Sequence, residues 1–147
     1  MRALNERSGN MQIGHTIYIK NSAEAVALYC EVFGLELGYH VRSSDGSFFH
    51  SELCKDGHSV LCVAQKQEDC IPFNNIVCLG LELADEAAIR RAVDMLSPGG
   101  EVKRPVGSLP WSPCCAEVVD RFGVWWYLTV EQHQPDDSFD PDTCPNE

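Results

Sequence analysis

The residues best suited to chemistry in this chain are an imidazole and a carboxylate, His50 and Glu52, separated by one position in the run Phe48-Phe49-His50-Ser51-Glu52-Leu53. On an extended strand, positions two apart share a face, so Phe48, His50 and Glu52 are expected on one side. A carboxylate beside an imidazole orients it or raises its basicity, which suits proton abstraction or recognition of a polar substrate. The same pair also serves as a surface ion pair or a dimer contact. His58 opens the next strand-like run, and a histidine cluster with His50 depends on the hairpin geometry. A second group is aromatic. Trp111 lies in the segment Leu109-Pro110-Trp111-Ser112-Pro113, read as a loop able to close over a concavity. Trp125, Tyr127 and Tyr18 fall at alternating strand positions on faces expected to look inward. An aromatic-lined concavity holds planar or apolar ligands through area burial, with hydroxyl and indole N–H groups orienting them. The alternative is that these rings fill the cavity themselves.

The cysteines carry a weaker signal. The sequence has 8 of them, and none forms a CxxC or CxxxC pair. Cys30, Cys54, Cys62 and Cys78 lie singly in apolar runs, Cys70 and Cys144 in polar segments, and Cys114-Cys115 are adjacent. A cysteine inside an apolar run behaves as a small hydrophobe, and neighbouring strand residues face opposite ways, so Cys114 and Cys115 do not share a metal. No secretory signal pattern opens the sequence, and the expectation is a reduced, cytoplasmic protein.

These side chains need a scaffold, and 147 residues with 44% hydrophobic content can bury one sizeable core. No apolar run approaches a membrane span. The net charge of −11 disfavours a nucleic-acid backbone as partner. Six acidic residues and no Lys or Arg lie between Glu131 and Glu147, leaving −5 for the rest. That gives a flexible segment 1–11, one domain over 12–131, and an acidic, disordered tail over 132–147.

Within the domain one pattern is written twice. A strand at 12–20 precedes Asn21 and Glu24, a capping-box pair, then Ala25, Leu28, Tyr29, Val32 and Phe33 at helical spacing, stopped by Gly34. Strand-like runs follow at 35–42, 47–55 and 58–65, separated by Asp45-Gly46 and Asp56-Gly57. The second module, 76–131, offers a strand at 76–83, and a helix capped by Asp85 with Ala88, Ile89, Ala92, Val93 and Leu96 inward. Strands at 101–105, 114–119 and 124–131 complete it. Module one is 12–65 and a polar linker spans 66–75. Alternation places Ile13, His15, Ile17 and Ile19 against the helices and Gly14, Thr16 and Tyr18 on the other face. It likewise sets Val77, Leu79, Leu81 and Leu83 opposite Cys78, Gly80 and Glu82. The outer faces, mixed polar and aromatic, either line a cup or meet another subunit.

Four segments in order carry a family likeness: "GHTIYIKNSAEAVALYCEVFGLELGY", "SFFHSELCKDGHSVLCVAQ", "DEAAIRRAVDMLSPGGEVKRPV" and "AEVVDRFGVWWYLTVE". Together they resemble the vicinal oxygen chelate superfamily, which includes glyoxalase I, bleomycin-resistance proteins and extradiol dioxygenases. Within it they resemble the PhnB-like branch, through His50-Ser51-Glu52-Leu53, Val60-Leu61-Cys62-Val63, Trp111 and Asp120-Arg121-Phe122-Gly123. The resemblance implies an α+β fold of two βαβββ modules, a cupped eight-stranded mixed sheet with helices outside, and commonly a homodimer. It also implies a divalent metal held by one His or Glu from each of four strands. Here the four positions fall on Gly14, near Cys62, near Cys78, and on Tyr127. That set suits no hard metal. The expected function is therefore small-molecule binding in an aromatic-lined cup, with Tyr18, Phe48, Cys62, Cys78, Trp111, Trp125 and Tyr127 as ligand contacts and no metal or other cofactor. One alternative is a lyase, isomerase or dioxygenase holding one Mn, Fe, Ni, Co or Zn ion on His15, His50 and Glu52, with His50 and Glu52 catalytic. A second is a structural homodimer with a filled cavity.

Overall fold

A computed structural model describes residues 13–66, 77–135, 137, 138, 140 and 142. The segment 1–11, nearly all of the linker and much of the acidic tail, with Cys70 and Cys144, lie outside the described residues. The element order is β1 (Ile17–Ile19), α1 (Ser22–Phe33), β2 (Glu36–Arg42), β3 (Phe48–Lys55) and β4 (His58–Gln65). The second run is β5 (Cys78–Glu82), α2 (Glu86–Leu96), β6 (Glu101–Leu109), β7 (Ser112–Val119) and β8 (Trp125–Val130). This is βαβββ written twice in an α+β fold.

The eight strands divide into two four-stranded sheets, β1-β4-β3-β2 and β5-β8-β7-β6, with no ladder joining them among the described residues. In each sheet the first strand runs parallel to the fourth and the remaining pairs are antiparallel. β1 and β5 are therefore both edge strands. The Asp56-Gly57 turn between β3 and β4 has φ of 49° and 78°, the two positive values that a tight, right-twisted hairpin requires.

Helix entry follows two different solutions. Asp85 caps α2 as expected, accepting from the Ala88 N–H at 2.8 Å. Asn21 begins α1 without a side-chain cap. Glu24 is bonded instead to Arg121 at 2.6 Å, and Ser22 is served by β4, its hydroxyl donating to Gln65 Oε1 at 2.7 Å and its N–H at 3.2 Å. Gln65 Nε2 in turn donates to the Lys20 carbonyl. The helix start is thus tied to β4 rather than capped locally.

Three strand boundaries differ from the sequence pattern. β1 is three residues long, so Ile13, 97% exposed, and exposed His15 precede it instead of joining a buried face. β5 begins at Cys78, and Val77 is 64% exposed. β6 runs to Leu109 and β7 starts at Ser112, so Pro110-Trp111 is a tight turn, not a covering loop. Pro105 hid this extension. It is tolerated because β6 is an edge strand with register shifts between Arg104 and Gly107.

The core joins both modules. Leu53, Leu61 and Val63 from the first sheet, Tyr29 and Phe33 from α1, Ile89 and Leu96 from α2, and Val118, Trp126 and Leu128 from the second sheet form one buried cluster. Each sheet therefore turns one face to the helices and leaves the other open.

Candidate functional sites on the two open sheet faces

On the first sheet, burial alternates along β3 and β4: Ser51, Leu53, Leu61 and Val63 face the core, while His50, Glu52, Cys54 and Cys62 are only partly covered. Tyr18, 59% exposed, shares their side, since its register partner on β4 is Ala64 and its neighbours Ile17 and Ile19 turn inward. His50 Nε2 stands 3.7 Å from Glu52 Oε1, too long for a hydrogen bond but within ion-pair range when the imidazole is protonated. Their side chains are 33% and 25% exposed. The Tyr39 ring lies 6.0 Å from the His50 ring, and Cys62 sits directly across from Glu52. His58 pairs with Lys55 at the far end of this hairpin, so no cluster with His50 forms.

Phe48 does not join this face. It is 1% exposed and part of the core, with the Arg42 guanidinium 4.1 Å from its ring centroid and its N–H bonded to Ser22 Oγ at 2.9 Å. The cause is a register break between β2 and β3. Val41 pairs with His50 but Arg42 with Phe48, two residues against one, and such a bulge rotates the side chain away from simple alternation.

The second open face is richer. Register sets Arg104 on β6, Glu117 on β7, Tyr127 on β8 and Gly80 on β5 in one row across four strands. Flanking rows are Val119, Trp125 and Cys78 on one side, and Cys115, Thr129 and Glu82 on the other. Arg104 Nε donates to Glu117 Oε2 at 2.9 Å. Trp111 Nε1 donates to Tyr127 Oη at 2.7 Å, fixing the hairpin tip against the sheet. Trp125 presents a buried indole N–H with no acceptor among the described residues. Cys114 turns into the core, whereas Cys115 lies on the open face under Tyr127.

Burial on this face favours the neutral forms of its two thiols and its phenol. Burial, then the Glu117 charge, pushes the Cys78 thiol up to about 11. Burial also raises the Tyr127 phenol, with smaller contributions from Cys115 and Glu117, against a lowering by the Trp111 bond. Cys115 is raised by burial as well.

The structure thus gathers Trp111, Trp125, Tyr127 and Cys78 on one sheet and Tyr18, Cys62, His50 and Glu52 on the other. His15 lies apart, ahead of β1. A hard divalent metal does not fit the four expected positions: Gly14 offers no donor, Cys78 is held as a thiol, and the Tyr127 oxygen is engaged by Trp111. Among the described residues no three His, Cys, Asp or Glu side chains converge on a metal-sized centre. Sequence reading missed Arg104, Glu117 and Tyr39, and did not tell which of Cys114 and Cys115 faces outward. Arg104 and Glu117 carry opposite charges on the expected strands at 101–105 and 114–119, and only the register reveals them as neighbours.

No family model and no curated protein matches the sequence. Solved structures do. The chain is similar to a PhnB protein from Bacillus cereus described as a putative 3-demethylubiquinone-9 3-methyltransferase, at 22% identity and TM-score 0.68, covering 82% of this chain and 99% of that one. It is similar to a glyoxalase/bleomycin resistance protein/dioxygenase superfamily member from Sphaerobacter thermophilus, at 16% identity and TM-score 0.58, covering 80% and 94%. An antibiotic binding protein, TnmS3 from Streptomyces sp. CB03234, matches at 19% identity and TM-score 0.58, covering 84% and 100%. What these share with the chain is the fold, which the Sphaerobacter protein carries as a member of the glyoxalase/bleomycin resistance protein/dioxygenase superfamily.

Proposed function

We propose that this chain is a PhnB-like member of that superfamily that binds a small molecule on an aromatic sheet face, without a divalent metal. The observation that carries this reading is the Trp111–Tyr127 hydrogen bond of 2.7 Å. It holds two rings over the position where a metal ligand would stand, beside Trp125 and a protonated Cys78. Aromatic walls with a few fixed polar groups suit a ligand recognised by area and orientation.

Two copies complete the cup in this reading. β1 and β5 are both edge strands with open faces beside them. Joining β1 of one copy to β5 of the other would set the His50–Glu52 face against the Trp111–Tyr127 face. Unpaired edges are templates for such pairing. Methyl transfer is not part of the proposal, since neither helix follows a glycine-rich turn: Asn21 precedes α1 and Asp85 precedes α2.

The test is elemental analysis of tag-free protein offered Mn, Fe, Ni, Co and Zn and then freed of excess metal. Only trace metal is expected. About one tightly held ion per chain, lost in His50→Ala or Glu52→Ala, would sink the metal-free reading. A second reading, acid–base catalysis by His50 and Glu52, draws support from their 3.7 Å approach. It would be carried by a bound substrate whose turnover, but not affinity, falls in His50→Gln.

A further inference from the structure

On the open face of the second sheet, Gly80 leaves a gap. A Cβ built there would meet nothing within 4 Å, although Tyr127 stands directly beside it on β8 and Cys78 and Glu82 flank it on β5. A glycine inside a strand weakens it and often marks where a ligand approaches the backbone closely. The slot has a fixed wall, because Trp111 ties down the Tyr127 hydroxyl.

Charge on this face is unevenly disposed. Arg104 is bonded to Glu117 at 2.9 Å and Lys103 to Glu101 at 3.1 Å, so both cations are matched. Glu82 is exposed and forms no ion pair among the described residues. Resting on the small-molecule reading above, we infer that the slot over Gly80 takes a flat organic cation, its ring against the Gly80 backbone beside Tyr127 and its charge toward Glu82. A cation over an aromatic wall gains from the ring quadrupole, and gains more where water is excluded.

The test uses the full chain and two planar probes of matched shape: N-methylquinolinium, which is permanently charged, and quinoline in mildly alkaline buffer, which is neutral. Affinities are read by ligand-observed NMR titration. The cation is expected to bind about tenfold tighter than quinoline. Glu82→Gln is expected to weaken the cation about threefold while leaving quinoline unchanged, and Gly80→Val to abolish both with the far-UV circular dichroism intact. Should Gly80→Val fail to fold, the Glu82→Gln comparison decides alone. Quinoline binding as tightly as the cation, or both probes binding unchanged to a folded Gly80→Val, overturns the inference and leaves the small-molecule reading standing. If neither probe binds the unmodified chain, the inference falls, and the small-molecule reading is judged by its own metal analysis.

Discussion

The Tyr29 hydroxyl donates to Asp120 Oδ2 at 2.7 Å, across the boundary between the two βαβββ modules. The same oxygen accepts the Trp126 indole N–H at 2.9 Å, and Oδ1 accepts the backbone N–H groups of Phe122 and Val124 at 2.9 and 3.1 Å. Asp120 is 2% exposed. One buried carboxylate thus closes the turn between β7 and β8 and anchors α1 to it. Burial, reinforced by Asp120, holds the Tyr29 phenol well above its ordinary range, so it remains a donor at any working pH. Tyr29→Phe removes one of four donors and should cost about 1.5 kcal/mol. Asp120→Ala strands all four and should cost about 3 kcal/mol or more. Urea denaturation of the two variants checks the order. Equal losses would mean that the carboxylate does not organise the cluster.

A pair of glycines separates fold from site. At Gly100 a Cβ would lie 2.1 Å from the Val119 carbonyl oxygen, a backbone atom that cannot step aside. Gly100→Ala should therefore cost about 3 kcal/mol. At Gly80 the added Cβ meets nothing, and Gly80→Ala should change stability by less than about 0.5 kcal/mol. Thermal melts of the two proteins test this. A large loss at Gly80 would show that the slot is closed in solution.

The sequence disclosed the βαβββ repeat because helix spacing and hairpin turns are local signals. Asp56-Gly57, Gly34 and Asp85 each did the job their chemistry suggests. What it concealed depended on distant partners. Asn21 and Glu24 spell a local cap, yet Glu24 is drawn to Arg121, 97 residues away. Phe48 follows the alternation of His50 and Glu52 on paper, but a bulge set by β2 turns it into the core. The expected strand ends at 105, on Pro105, while its edge position lets β6 continue to Leu109. The placement of Trp125 and Tyr127 on the open face was legible from alternation. The bond from Trp111 to Tyr127 was not, because it depends on how tightly the Pro110-Trp111 turn folds back.

Cys78 should be a poor nucleophile despite its exposure. With its thiol pushed up to about 11 by burial and the Glu117 charge, its thiolate fraction in mildly alkaline buffer is about a hundredfold below that of an ordinary cysteine. Peptide-resolved iodoacetamide labelling should therefore find Cys78 slow, with its rate still climbing where a free thiol has levelled off. The folded state holds the proton longer than the unfolded chain, so this group contributes stability below its unfolded pKa that is lost as pH rises through the folded value. Glu117→Gln removes one of the two causes and should speed the labelling. Fast modification of Cys78 in the unmodified chain would contradict the shielded, negative environment assigned to that face.

Quaternary structure offers the last check, because the proposed cup needs two chains to bring its two faces together. Light scattering during size exclusion should give twice the chain mass. The edge-pairing model also predicts where the dimer is vulnerable. Gly80 is the central residue of β5 and points away from the core, whereas its neighbour Leu81 is half-buried toward it, so Gly80→Pro removes an edge N–H without deleting core volume. A proline on an edge strand is tolerated within the chain when that N–H faces outward, but blocks a partner strand from pairing there. The variant should therefore run as a folded monomer. A dimer that survives Gly80→Pro would place the contact elsewhere and leave the two open faces in separate environments.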